Sequence, residues 1–276
     1  MRAVRQILKN PSACIGLAAL LALVLACAFS AHLVRWSPFD QNLDEKLLRP
    51  GAVHLLGTDQ FGRDVLARIL AGTKYSLTAG FVSVLLSLAG GLVLGIPAGY
   101  LGGALDKALM LVCDILLAFP GILMALALSM VIGPGIYTPM VTVGISSIPV
   151  FARLVRVQFM TLREAPFVEA MRAAGAGGAR IALRHILPNA MGPILVQSTL
   201  RMGTAIVTAA TLSFLGLGAQ PPTPEWGTML NDARTYFMTN AYLAMFPGLA
   251  ITVSVIAINL VGDALRDHLD PKLRER

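Results

Sequence analysis

Charge is scarce in this sequence. Only 13% of its 276 residues are Asp, Glu, Lys or Arg, and 56% are hydrophobic. An ordinary soluble domain carries roughly 25% charged residues. A chain this poor in charge is placed mainly in lipid rather than around a soluble core. Cysteine is also rare. Cys14, Cys27 and Cys113 fall in apolar runs and lack metal-type spacing, so a disulfide framework is not expected. The four histidines, His32, His54, His185 and His268, are scattered, and no pair sits at i, i+4. No metal site is expected. The sequence has no Gly-x-x-x-x-Gly-Lys-[Ser/Thr] loop, no His-Glu-x-x-His and no Gly-x-Ser-x-Gly. It is therefore not expected to hydrolyse ATP itself, and no catalytic residue is assigned. The net charge of +7 does not signal nucleic acid. Its basic residues are not interleaved with aromatics; they cluster beside apolar runs, as topology signals do.

What the sequence does have is long apolar runs. A bilayer crossing needs about twenty residues. Six runs qualify: Ser12–Val34, Ser76–Tyr100, Leu109–Ile132, Tyr137–Gln158, Met191–Leu217 and Leu243–Leu265. The expected class is an all-α polytopic membrane protein with six transmembrane helices. The whole chain, 1–276, reads as one transmembrane domain, with a core bundle over about 70–265. Only Gly133-Pro134-Gly135-Ile136 separates the third run from the fourth, which predicts a hairpin.

Charge orients the bundle. One side holds Arg2, Arg5, Lys9, Lys107, Arg153, Arg156, Arg163, Arg172, Arg180, Arg184, Arg266, Lys272, Arg274 and Arg276. The other holds Arg35, Lys46, Arg49, Arg63, Arg68, Lys74 and Arg234. The positive-inside rule puts both termini and the polar segment 159–190 in the cytoplasm. The N-terminal basic residues and apolar run also resemble a signal peptide, with Ala26-Cys27-Ala28 as a cleavage-like site. The run is longer than a signal core, so an uncleaved first helix is expected.

Three polar strings interrupt the apolar chain. The first is Glu169-Ala170-Met171-Arg172-Ala173-Ala174-Gly175, followed by His185-Ile186-Leu187-Pro188-Asn189. It reads as an Ala-rich amphipathic helix meeting a glycine, then a run ending at a helix-breaking proline. The second is Gly57-Thr58-Asp59-Gln60-Phe61-Gly62-Arg63-Asp64. Here Asp59, Arg63 and Asp64 form an ion-pair knot, or His54, Asp59 and Asp64 form a metal site. The third is Ser213-Phe214-Leu215-Gly216-Leu217-Gly218, then Pro221-Pro222-Thr223-Pro224-Glu225-Trp226-Gly227. It reads as an interfacial loop anchored by Trp226, or as an external gate or docking platform.

The first string resembles the coupling loop of ABC-importer permeases, with Met171 in place of the second alanine and His185 in place of an aliphatic residue. The other two resemble signatures of the branch of that family that imports dipeptides, oligopeptides and nickel. The resemblance covers nearly all the chain from about Leu55 to the Asp263–Pro271 tail. It implies the type I importer permease architecture, in the inner membrane of a prokaryote. It further implies that Glu169, Ala170, Arg172, Ala173, Gly175, Ile186, Leu187 and Pro188 couple the chain to an ATP-hydrolysing subunit. The implied partners are a second permease, making a heterodimer, two ATP-binding subunits and an extracytoplasmic substrate-binding protein. ATP and magnesium would sit on those ATPase subunits; this chain would bind no cofactor. The implied cargo is peptide, with nickel or a metal chelate as the alternative. A secondary transporter is the alternative class; it would need paired intramembrane carboxylates and inverted repeats, and neither is evident.

Two further features stand out. Ser87, Gly91, Gly95, Gly99 and Gly103 recur every four residues, which gives one bare helix face for internal packing or for a subunit interface. Arg201 and Asn259 are polar within apolar runs. They are expected on the translocation path, or, for Arg201, against a carboxylate of a neighbouring subunit. Asp114 and Asp263 lie near the inner interface, close enough to pair with arginines there.

Overall fold

The computed structural model describes residues 11–269. Arg2, Arg5, Lys9, Pro271, Lys272, Arg274 and Arg276 lie outside the described residues. The helices, in chain order, are α1 (Pro11–Ala28), α2 (Ser30–Leu33), α3 (Val65–Leu101), α4 (Gly103–Ala118), α5 (Gly121–Ile132), α6 (Thr138–Leu162), α7 (Pro166–Ala173), α8 (Gly178–Arg180), α9 (Leu187–Phe214), α10 (Trp226–Ala233) and α11 (Tyr242–Leu269). Four of them, α1, α3, α6 and α11, are long and apolar enough to cross a membrane. The pair α4–α5 makes a fifth crossing when taken as one. Helix α9, with 28 residues, is long enough for a sixth. Its Gln197, Ser198, Thr199 and Arg201 lower its hydropathy, and it packs against α3, α6 and α11.

Helix α3 is the axis of the fold. Its 37 residues make a rod roughly 55 Å long, longer than the 40–45 Å of a whole bilayer. It starts eleven residues before the expected Ser76. The reason is a cap: the Asp64 side chain accepts from Ala67 N at 2.7 Å, satisfying an end N–H that would otherwise be orphaned. The first turns after that cap are buried in the chain's own structure, so their polar residues are not loop.

The small-residue face of α3 packs on α6. A Cβ added at Gly91 would meet the Phe151 carbonyl carbon at 2.9 Å, and one at Gly95 would meet Ala152 O at 2.6 Å. At Gly99 the neighbour is Arg156 O at 2.5 Å. One and two turns before Gly91, Ser87 donates to Gly144 O at 2.9 Å and Ser83 donates to Met140 O at 2.9 Å. The stripe is thus internal packing, and the subunit-interface reading of it is wrong from Ser87 to Gly99. Gly103 is not part of it; it has nothing within 4 Å and a φ of +65°.

The third span is not one helix. Its halves α4 and α5 meet at a 91° bend. Pro120 has no N–H to continue the ladder of α4, and it holds Phe119 extended, at φ −89° and ψ 137°. The expected continuous run Leu109–Ile132 hid this break because its flanks are equally apolar. Pro188 brings the opposite correction. It does not end a helix but sits in the first turn of α9. A wide π turn at Ile181–Ile186 precedes it, and the loosened ladder accommodates the missing donor.

Candidate functional site: a coupling element and an outer polar knot

Helix α7 is only eight residues long, so packing must hold it. Val168 supplies that packing: it is fully buried among Phe159, Ile181, Ile186 and Ile194. Met171, one turn on, leans on the same cluster. The opposite face is open. Glu169, Ala170, Arg172 and Ala173 are all exposed. Glu169 lies in the first turn and Arg172 in the last, each at the helix end that favours its charge. Gly175 closes the helix at φ +80°. Gly175 N donates to Arg172 O and Ala176 N donates to Met171 O, both at 3.0 Å. These two bonds form a Schellman C-cap.

The residues after the loop divide by depth. Ile186 is fully buried and supports α7 from beneath; it offers nothing to an outside partner. Leu187 is half-buried against the same cluster, and Pro188 is exposed. The element sits at the far end of α3, where Tyr100 lies under Gly178. Ion pairs brace the neighbouring helices: Arg156 Nε and Nη2 reach Asp106 at 2.5 and 2.7 Å, and Arg153 bonds Asp114, as expected for an aspartate near the inner interface.

The opposite end of α3 carries the outer signature. Asp59 is buried and accepts four bonds or ion contacts: Phe61 N at 2.9 Å, Arg63 N at 3.0 Å, Arg63 Nε at 2.6 Å and Arg68 Nε at 3.4 Å. Arg63 is 1% exposed and Arg68 2%. Arg68 also donates to Pro38 O at 3.1 Å and Pro222 O at 3.3 Å, tying the two outer loops together. Asp232 lies 3.7 Å from Arg63. Burial pushes its carboxyl above the ordinary value, while Arg63 and Arg68 oppose the shift. Asp64 caps α3 with one oxygen and meets His54 Nδ1 with the other at 2.8 Å. These carboxylates are spent on arginines, a helix cap and a histidine. The bonds observed are those of the ion-pair reading of Asp59, Arg63 and Asp64. Thr58 is buried and bonds Leu48 N at 2.9 Å. Gly57 and Gly62 both take positive φ where Leu48 and Asn42 backbone leave no room for a side chain.

Trp226 is not an interfacial anchor. It is fully buried, and its indole N–H donates to Ile69 O at 3.0 Å. Gly227 has room only for hydrogen, because Ala210 and Ser213 press on it. Glu225, which sequence reasoning passed over, organises this turn. Its carboxylate accepts from Gly227 N and Thr228 N at 2.9 Å each, and from the Ser76 hydroxyl at 3.1 Å. An acidic residue just before a short helix was the signal available. Replacing Asp59 by Asn is expected to strip Arg63 and Arg68 of their shared carboxylate. Losing one partner of a buried pair costs about 3–5 kcal/mol. The check is a drop in the thermal midpoint of the purified protein; an unchanged midpoint would contradict it.

Arg201 and Asn259 do not share a site. Arg201 lines a cleft of about 370 Å³ bounded by α3, the α4–α5 bend, α6 and α9. Asn259 lines another, of about 520 Å³, between α9 and α11, with Asp263. The two clefts adjoin at α9, where Thr204 and Thr208 line both. Sequence reasoning missed the hydroxyls around Arg201, which come from three separate helices.

A bundle of helices long and apolar enough to cross a membrane, with an exposed, firmly seated helix at one end, is the architecture of an integral membrane protein. The family model described as binding-protein-dependent transport system inner membrane component matches residues 91–275. A second, the N-terminal TM domain of oligopeptide transport permease C, matches residues 1–50. The dipeptide transport system permease protein DppC of Alkalihalophilus pseudofirmus is 43% identical over 99% of this chain and 90% of its own. The glutathione transport system permease protein GsiD of Pectobacterium atrosepticum is 47% identical over 91% of this chain and 84% of its own. The fold is similar, at a TM-score of 0.60 and 21% identity, to a solved structure of the MetNI methionine ABC transporter in inward-facing form. That likeness spans 74% of this chain and 96% of the other. The chain belongs to the family of binding-protein-dependent transport system inner membrane components, and the resemblance to ABC-importer permeases drawn from its sequence holds.

Proposed function

We propose that this chain is a permease subunit of an ATP-driven peptide importer, and that α7 is where ATP hydrolysis on a partner subunit acts on it. The observation that carries the reading is the division of α7. Val168 and Met171 lock one face to the bundle, while Glu169, Ala170, Arg172 and Ala173 are free for a partner. A push on that face is transmitted to α6 and α9 through Phe159, Ile186 and Ile194. Two ATP-binding subunits closing on ATP and magnesium would drive α7, and the bundle would alternate its access by rocking against a second permease. An external binding protein would deliver the cargo. Peptide is the cargo best supported, since the relatives named above are dipeptide and glutathione permeases.

The reading requires the α7 end to be cytoplasmic, as the basic residues around it favour. In a background lacking Cys14, Cys27 and Cys113, an impermeant thiol reagent added outside whole cells should label a cysteine at Gln41 or Met238, both exposed. It should not label one at Ala179, which is also exposed. Labelling at Ala179 from outside would overturn the orientation and the coupling role together.

A further inference from the structure

We propose that the cleft around Arg201 is a subsite for the free carboxylate of a peptide in transit; this rests on the peptide-import reading above. Arg201 lies about midway along α9, roughly 21 Å from its start, at a depth where a guanidinium is costly unless it has a task. Among the described residues no carboxylate lies within ion-pairing distance of it; the ion pairs there are the outer knot, Asp106–Arg156, Asp114–Arg153 and Arg163–Glu164. The charge instead lines a cleft of about 370 Å³.

The walls of that space suit the end of a peptide. Ser146, Ser147, Thr204 and Thr208 line it; the Ser146, Thr204 and Thr208 hydroxyls donate to Val143 O, Arg201 O and Thr204 O, which leaves their oxygens to accept from peptide N–H groups, and the remaining wall is mostly apolar, including Phe119. One fixed cation, several neutral hydrogen-bonding groups and apolar walls can hold a carboxylate and a short backbone without selecting side chains. The bend of the third span opens onto the same space. Leu123 N and Met124 N are bonded to Pro120 O, and Gly121 and Ile122, which begin α5, line the cleft. The positive end of that half-helix adds to the field of Arg201. At this depth a lipid headgroup is excluded as the anion. The competing occupant is a carboxylate of the second permease, and the experiment separates the two.

The probes are trialanine and trialanine amide, which differ only at the C-terminal group, a carboxylate against a neutral amide. Equilibrium binding to the reconstituted importer, without the binding protein, should favour the free acid by about tenfold, the worth of a charge-assisted hydrogen bond. Arg201→Met should remove that preference, and Arg201→Lys should restore most of it. ATP-driven uptake of trialanine with the binding protein present is measured on the same preparations, as is recovery of the intact complex. Equal binding of acid and amide by the wild type, or an undiminished preference in Arg201→Met, overturns the subsite. So does equal loss of both ligands in Arg201→Met, which assigns the charge to a subunit contact or to folding. Undetectable binding of either ligand by the wild type also overturns it. Absence of ATP-driven uptake by the wild type sinks the peptide-import reading itself, a result distinct from uptake without carboxylate preference.

Discussion

Replacing Gly175 by valine is expected to leave the chain inserted while abolishing uptake by the assembled importer. Gly175 sits at φ +80°, and a residue with a Cβ pays about 1–2 kcal/mol in that region; a β-branched one is worse placed still. The clash is not with this chain, since a Cβ there meets nothing within 4 Å. What is lost is the pair of bonds from Gly175 N and Ala176 N that close α7. The eight-residue helix then frays at the end that carries Arg172, and its exposed face loses its shape. Gly175→Asn separates the causes, because Asn tolerates positive φ. If backbone strain is the cause, Asn keeps uptake near wild type. If bulk against the partner is the cause, Asn fails as valine does. Co-purification of the ATP-binding subunits, read beside uptake, follows both. Wild-type assembly and uptake in Gly175→Val would reduce α7 to a connector.

Gly91→Leu is expected to do more damage and of another kind. Gly91 meets the backbone of Phe151 and Ala152, and backbone cannot yield as a side-chain tip can. The two helices would have to separate over the whole stretch from Ser87 to Gly99, breaking the Ser87–Gly144 bond as well. In lipid, helix association depends on such close packing rather than on water exclusion. The expected result is loss of the folded chain from the membrane fraction, in contrast to Gly175→Val. Gly103→Leu is the control: nothing lies within 4 Å of Gly103, although its φ of +65° gives it some strain of its own. Normal levels of Gly91→Leu would contradict the close approach of α3 and α6.

The contrast between Gly91 and Gly103 shows what sequence could and could not reveal. Apolar runs and four-residue spacing made the spans and the packing face legible, because lipid imposes both directly. Spacing alone could not tell that the stripe stops at Gly99, since the helix itself ends at Leu101. The start of α3 was hidden because Arg68 and Lys74 read as loop. Only the structure shows Arg68 paired with Asp59 and hydrogen-bonded to two carbonyls. Trp226 was misplaced for a related reason: an aromatic beside prolines looks interfacial until a helix covers it, and Gly72 makes room for that ring on α3. The coupling string was legible as a motif, and its Gly175 cap could be anticipated from chemistry. The inward turn of Ile186 could not, because it depends on a π turn that carries no clear sequence mark.

The most direct test of the central claim is transport by purified protein in liposomes loaded with an ATP-regenerating system. This chain alone should take up no labelled dipeptide, with or without ATP. The same chain with a second permease, the ATP-binding subunits and the binding protein should accumulate it only when ATP is hydrolysed. Uptake by the chain alone, independent of ATP, would contradict the account.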